Sequence, residues 1–230
     1  WQQTDLLLRT GQMYVDPSVD FISPIYAPLF AFVSAALSSV FGNIFLMMRL
    51  ISVLSTIGSA VLIYLIVRKI ADSHLGAILS VGIFFGSYAW SAYWYDIGRV
   101  DSLQLFLMLA ALACAISSNR IVFYLSPVCA VLALFTKQSS LLMIVILGAA
   151  LLFVELRKGL IFLGASLVLS ALAVVVLQMW SGGWFLYYTF DLAASHPWNL
   201  PLLYRFWIFD VFGRYGPAFL AFAVIGAVGI

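Results

Sequence analysis

Eight stretches of this chain contain no Asp, Glu, Lys or Arg: residues 21–48, 50–67, 73–95, 102–119, 121–136, 138–154, 159–190 and 215–230. That pattern constrains the fold more than any other feature. A helical crossing of a bilayer needs about 20 mostly apolar residues. Several of these runs reach that length once their flanks are included. In hydrocarbon, a backbone that does not close into a barrel satisfies its N–H and C=O groups only as helix. Charged residues make up 9% of the chain and apolar ones 65%. An average soluble protein is roughly 25% charged, so a soluble domain, a disordered chain and a disulfide-stapled module are excluded. The net charge of +2 is small and the basic residues are scattered, which argues against a nucleic-acid partner. Cys114 and Cys129 lie inside apolar runs and read as small hydrophobes.

The sequence therefore predicts an all-α fold, a polytopic transmembrane helical bundle. Spans are expected near Ile44–Val67, Leu75–Tyr93, Leu103–Ser117, Ile121–Phe135, Ser140–Leu156 and Leu160–Trp180. The whole of 1–230 is expected to be one membrane domain: an outer loop at 1–43, six spans within 44–180, an outer loop at 181–215, and the start of a further span at 216–230. The chain begins at Trp1 without Met and ends at Ile230 within an apolar run, so it is expected to be part of a longer protein. With these spans, the tight basic clusters Arg68–Lys69, Arg120 and Arg157–Lys158 share one face, expected to be cytoplasmic. The aromatic residues Trp90, Tyr93, Trp94, Tyr95, Trp184, Tyr187 and Tyr188 then border the other face, where an interfacial belt accounts for them. Pro28–Phe41 is too short to cross, and a crossing there would invert the charge pattern. It is expected to lie in the outer interface, started by Pro28 and stopped by Gly42.

Polar residues in so apolar a chain are costly, so their positions are informative. On the outer side fall the acids Asp5, Asp16, Asp20, Asp96, Asp101, Asp191 and Asp210, and the bases Arg9, Arg49, Arg99, Lys137, Arg205 and Arg214. Three patterns stand out. One runs from Gly11-Gln12-Met13-Tyr14-Val15-Asp16 to Tyr26-Ala27-Pro28-Leu29. Another, Trp94-Tyr95-Asp96-Ile97-Gly98-Arg99-Val100-Asp101-Ser102-Leu103, puts two carboxylates and a guanidinium in one tight loop. The last, Thr136-Lys137-Gln138-Ser139, sets a lone lysine at the mouth of two uncharged helices. Simpler readings exist for the last two. Lys137 can snorkel to the interface, and Arg99 can pair with Asp101 or Asp96 to lock its loop. No nucleotide-binding loop, HExxH or paired Cys/His spacing is present. His74 and His196 fall on opposite faces.

With those motifs the chain resembles the multi-spanning C-type glycosyltransferases that use polyprenyl-phosphate sugars. That group contains dolichyl-phosphate-mannose–protein mannosyltransferases and bacterial aminoarabinose transferases. Phe41-Gly42, Arg49-Leu50 and Ser181-Gly182-Gly183-Trp184-Phe185 add to the likeness, which covers most of the chain in order. The resemblance implies a helical bundle whose first outer loop folds into juxtamembrane helices. It also implies an acidic catalytic base early in that loop, expected just upstream of Trp1, with Asp5 and Asp16 as weaker candidates.

The chemistry implied is transfer of a sugar from a polyprenyl-phosphate carrier to a glycan, lipid or protein acceptor on the extracytoplasmic face of the plasma membrane. A carboxylate must accept the acceptor's proton, and cations must stabilise the phosphate as charge develops on it. Lys137 is the first candidate for the lipid phosphate, with Arg99 and Arg49 as helpers. Asp96 and Asp101 are candidates to position sugar, acceptor or a cation, and Tyr26 completes the expected substrate site. The loop Ser181–Tyr215, with Trp184, His196, Trp198 and Trp207, is expected to cover the acceptor. No cofactor is expected, and a divalent metal is left open. Two other readings are a secondary transporter, which calls for mid-membrane charges and repeated halves, and a non-catalytic assembly subunit.

Overall fold

The structure is a computed structural model that describes residues 1–19, 21, 25–195, 200–213 and 216. It is helical throughout its regular parts. Eight helices run in order: α1 (Gln2–Thr10), α2 (Leu29–Phe41), α3 (Ile44–Ala71), α4 (His74–Gly86), α5 (Val100–Ala115), α6 (Arg120–Thr136), α7 (Ser140–Val154) and α8 (Leu156–Trp180). Helical turns continue through Trp184–Ala194, including a wide π-type turn at Tyr187–Asp191. Residues 1–193 form one compact unit. The second unit, from Ala194 onward, contains a helix at Leu200–Arg205 that widens into a π-helix at Phe206–Gly213. Asp20, His196, Trp198 and Arg214 lie outside the described residues, as does the segment from 217.

The helices of the first unit sort their ends cleanly. α3 begins, α6 ends and α8 ends at one extremity, which also carries the loop before α5 and the α6–α7 turn. At the opposite extremity lie the α3–α4, α5–α6 and α7–α8 connections with Arg68, Arg120 and Arg157. Helix starts and stops follow local chemistry. Asn43 accepts a bond from the Leu46 N–H at the start of α3, Ser73 accepts from Gly76 N–H for α4, and Asn119 from Ile121 N–H for α6. Gly11 closes α1 with φ 73°, and Gly42 closes α2 with φ 72°, conformations that suit glycine.

Close packing rests on small residues, as expected where no hydrophobic effect drives helices together in lipid. Between α5 and α6 the buried contacts include Ala111, Ala115 and Ala130, and the buried Ser126 hydroxyl donates to the Ala111 carbonyl at 2.8 Å. Gly148 and Gly159 let α7 and α8 approach so closely that a Cβ would meet Leu163 or Leu152 side-chain atoms within 2.6 Å.

The helices vary in length, and one expected span ends early. α3 and α8, at 28 and 25 residues, are long and apolar enough to cross a bilayer; α4, α5, α6 and α7 have 13–17 residues. At about 1.5 Å per residue these helices are shorter than a hydrocarbon core of about 30 Å. The expected span Leu75–Tyr93 stops being helix at Gly86. There Ser87 Oγ donates to the Phe84 carbonyl, and Tyr95 reaches back so that its hydroxyl meets both Ser87 Oγ and the Phe84 carbonyl. The aromatic run thus folds into a turn that caps α4, with Ala92 and Tyr93 at positive φ. Gln2–Thr10 is a helix in the first outer loop, where the resemblance implies juxtamembrane helices.

α2 matches its expected bounds to within one residue. Both of its ends sit at the extremity that carries Lys137. Tyr26, just before it, lies under the lysine, and Gly42 leads directly into the start of α3. Its buried Phe30 packs against Ile51 and Val100, which belong to that same extremity.

Candidate functional site

The site is built where α5 begins, α6 ends and the chain 11–28 folds over them. α6 stops at Thr136, and Lys137 leaves the helix in an extended conformation, its N–H still bonded to the Ala133 carbonyl at 2.9 Å. That exit angle carries the ammonium across to the first turn of α5. Lys137 Nζ donates to Asp101 Oδ1 at 2.6 Å. Arg99 Nε donates to the other oxygen, Oδ2, at 3.0 Å. One carboxylate, 19% exposed, is therefore held by two cations, and the trio keeps one net positive charge.

Aromatic rings back both cations. The Arg99 guanidinium lies 4.1 Å above the Trp94 ring, and Lys137 Nζ is 5.8 Å from the centre of Tyr26. Such contacts favour a cation most where water is excluded. Tyr26 is itself fixed, because Tyr14, which is buried, donates its hydroxyl to the Tyr26 carbonyl at 3.1 Å. Burial pushes the Tyr14 phenol well above its ordinary pKa, so it acts as a fixed donor. Tyr188 donates to the Val15 carbonyl at 2.6 Å, and Gln138 spans to the carbonyls of Ile25 and Thr189. These bonds bring sequence-distant segments together at one mouth.

The loop before α5 is anchored to α3 by side chains reaching its backbone. Ser52 donates to the Arg99 carbonyl, Thr56 to the Tyr95 carbonyl, and Arg49 Nε to the Asp96 carbonyl. Gly98, at φ 72°, lies flat on α3: a Cβ there would stand 3.1 Å from the Met48 Cβ and 3.4 Å from the Arg49 nitrogen. Arg49 also pairs with Asp96 at 3.0 Å, and Tyr88 donates to the other Asp96 oxygen at 2.7 Å. The Tyr88 bond and then Arg49 hold the Asp96 carboxyl below its ordinary pKa.

Of the residues singled out from sequence, Lys137, Arg99, Asp101 and Tyr26 come together. Arg49 and Asp96 form a neighbouring pair and are tied to each other. Arg99 chooses Asp101, and Asp96 goes to Arg49. Asp5 is engaged by Arg9 on α1 at 3.0 Å, and Asp16 is exposed in the loop after α1. Sequence reasoning assigns Trp94 to an aromatic belt, although it opens the pattern that holds Arg99 and Asp101, and it misses Tyr88. It also misses Gln104, whose amide donates to both Ser139 and Ser140 and braces the α6–α7 turn. A signal for Trp94 existed: it precedes Arg99 by five residues in a turn-rich loop. Beside the trio opens a cleft of about 300 Å³, lined by Trp1, Gln2, Gln3, Tyr26, Phe30 and Arg99 among others. It offers aromatic faces, amides and one guanidinium, a set able to hold a polar ligand carrying negative charge.

The sequence profile of the dolichyl-phosphate-mannose-protein mannosyltransferase family matches residues 24–180, about two thirds of the chain. The chain belongs to this family. Comparison with curated proteins gives no match, and comparison with solved structures gives none. Membership makes this member of the dolichyl-phosphate-mannose-protein mannosyltransferase family a membrane glycosyltransferase of the mannosyltransferase type, with a lipid-linked sugar as donor. The matched region contains Tyr26, Arg49, Asp96, Arg99, Asp101 and Lys137, and every helix from α2 to α8.

Proposed function

We propose that this mannosyltransferase-family protein moves a sugar from a polyprenyl-phosphate carrier to a glycan, lipid or protein acceptor on the extracytoplasmic face of the plasma membrane. The observation that carries the reading is the convergence of Lys137 and Arg99, from two separate elements, on Asp101 beside Tyr26 and the cleft. A carboxylate shared by two cations leaves one positive charge, which complements a phosphodiester. In the reaction the acceptor heteroatom bonds to the anomeric carbon as the bond from that carbon to the phosphate oxygen breaks. The lipid phosphate leaves with the electron pair, and Lys137 and Arg99 stabilise the charge gathering there. A carboxylate of the first outer loop takes the acceptor proton. Asp101 positions the two cations.

The same reading supplies a topology. The Lys137 extremity faces outward, and the ends with Arg68, Arg120 and Arg157 face the cytoplasm, where basic residues are retained. α2 then lies in the outer interface, because both its ends are at one extremity and its 13 residues are short of a crossing. The donor class is tested with full-length protein in detergent, offered either a polyprenyl-phosphate sugar or the matching nucleotide sugar with a membrane-derived acceptor. Consumption of the lipid donor with equimolar release of polyprenyl phosphate supports the reading. Direct transfer from the nucleotide sugar overturns it.

A further inference from the structure

At the extremity opposite Lys137, a second charged cluster has no part in the proposed chemistry. The α5–α6 turn and the α7–α8 junction enclose a small notch of about 80 Å³. Arg120, Arg157 and Lys158 line it, against the single carboxylate of Glu155. Glu155 is paired with Lys158 at 2.8 Å, so it is already engaged. Among the described residues, neither Arg120 nor Arg157 has a carboxylate within ion-pair distance. The hydroxyl-bearing Ser117 and Ser118 also line the notch.

The placement of these cations is unfavourable for the helices that carry them. Arg120 is the first residue of α6, and Arg157 and Lys158 stand in the first turn of α8. Helix N-termini carry a partial positive charge and favour anions. Three cations around two such ends raise a local potential that an anion would relieve. The notch holds only a few heavy atoms, the size of a phosphate group and not of a sugar. Its floor is apolar, with Phe123 buried and Lys158 Nζ 5.8 Å from that ring. Tyr124 lines the notch, and Ile121 and Leu160, next in sequence to the lining residues Arg120 and Ile161, are also exposed and apolar. A free phosphate would make no use of these side chains; the acyl chains of a phospholipid would.

We infer that this notch binds the phosphate headgroup of an anionic phospholipid in the leaflet next to it, with Arg120 and Arg157 as the headgroup ligands and Ile121, Tyr124 and Leu160 against the chains. Basic pockets between membrane helices are a known means of holding anionic lipid. The inference is independent of the glycosyl-transfer reading, since the notch lies at the other end of the bundle.

The test uses full-length protein in neutral detergent, melted with added phosphatidylglycerol, phosphatidylcholine or inorganic phosphate at equal concentration. Phosphatidylglycerol is expected to raise the melting temperature by at least about 3 °C, because a ligand that binds only the folded state stabilises it. Phosphatidylcholine and phosphate are expected to give no rise. The single variants R120Q and R157Q should each reduce the phosphatidylglycerol effect, and the double variant should abolish it. Should the double variant fold poorly, native mass spectrometry of R157Q against wild type counts retained phosphatidylglycerol, with loss expected in the variant. Equal stabilisation by phosphatidylcholine overturns the anion requirement, and equal stabilisation by phosphate overturns the lipid. An undiminished response in both single variants overturns the site.

Discussion

Replacing Lys137 with Gln and Asp101 with Asn breaks the same bridge from its two ends, and the proposed site requires opposite consequences for the donor. The Lys137–Asp101 contact is 2.6 Å long, with the side chains 25% and 19% exposed. Lys137→Gln takes the trio of Lys137, Asp101 and Arg99 from one positive charge to none. A unit charge about 4 Å from a phosphate is worth about 4 kcal/mol at an effective dielectric constant of about 20. Because part of the lysine stays in water, the loss is closer to the about 1.5–3 kcal/mol of a charge-assisted hydrogen bond. That corresponds to about 10- to 150-fold in donor Kd. Asp101→Asn instead raises the trio to two positive charges. Donor affinity should hold or tighten, while two partly buried cations lose their counter-charge. Removing one partner of a fully buried pair costs about 3–5 kcal/mol. Discounting for the exposure of Arg99 at 37% and of Lys137, about 1–3 kcal/mol of stability is expected to go. Lys137→Arg keeps the charge, but its planar fork is wider than the ammonium, and turnover should fall. The assay is equilibrium binding of a polyprenyl-phosphate sugar to full-length protein in nanodiscs, with melting curves on the same samples. If the Gln and Asn variants change donor affinity in the same direction by similar factors, the lysine serves only to anchor α5 to α6.

Gly98→Ala should cost about 1–2 kcal/mol, because it forces a Cβ into positive φ and against Met48; a melting curve measures the loss, and donor affinity should fall as Arg99 shifts. Arg49→Gln removes a bridge whose partners are 61% and 33% exposed, so stability should change by less than about 1 kcal/mol in the same melt. Since Tyr88 helps hold Asp96 below its ordinary pKa, the Asp96 contacts stabilise the fold above the usual carboxylate range and fade only as pH falls below it. In Tyr88→Phe that acid limb should move to higher pH in a melting profile; no movement would discount the bond. Single cysteines in a background lacking Cys114 and Cys129 should react with an impermeant reagent in intact cells at position 98 and stay unlabelled at position 72. The reverse pattern would invert the topology.

Much of the helical plan is written in the distribution of charge. α6 and α7 follow the charge-free runs 121–136 and 138–154, while α3 and α8 are bounded by Asn43 and Asp72 and by Glu155 and Ser181. Gly42 and the shortness of Pro28–Phe41 give the bounds of α2 in the same way. α4 escapes this logic: Tyr88 and Tyr95 are as apolar as a span by count, and only their hydroxyl bonds to Asp96, Ser87 and Phe84 turn them into a cap. α1 falls in the first outer loop, where the resemblance implies juxtamembrane helices; Asp5 and Arg9, four residues apart, support it and Gly11 closes it. In the site, Lys137 is conspicuous as the sole charge between Arg120 and Glu155, and Arg99 with Asp101 are near neighbours. Their joining is a tertiary fact. Lys137 and Asp101 are 36 residues apart, and only the packing of α5 on α6 through Ala111, Ala130 and Ser126 sets the distance.

The central claim is that a lipid phosphate seats at the Lys137 end of the bundle. A structure of the full-length protein in nanodiscs with bound polyprenyl phosphate tests it most directly. The phosphate is predicted within hydrogen-bond distance of Lys137 Nζ and the Arg99 guanidinium, with the prenyl chain leaving along the bundle. Density for that phosphate away from both residues, or at Arg120 and Arg157 instead, would contradict the account.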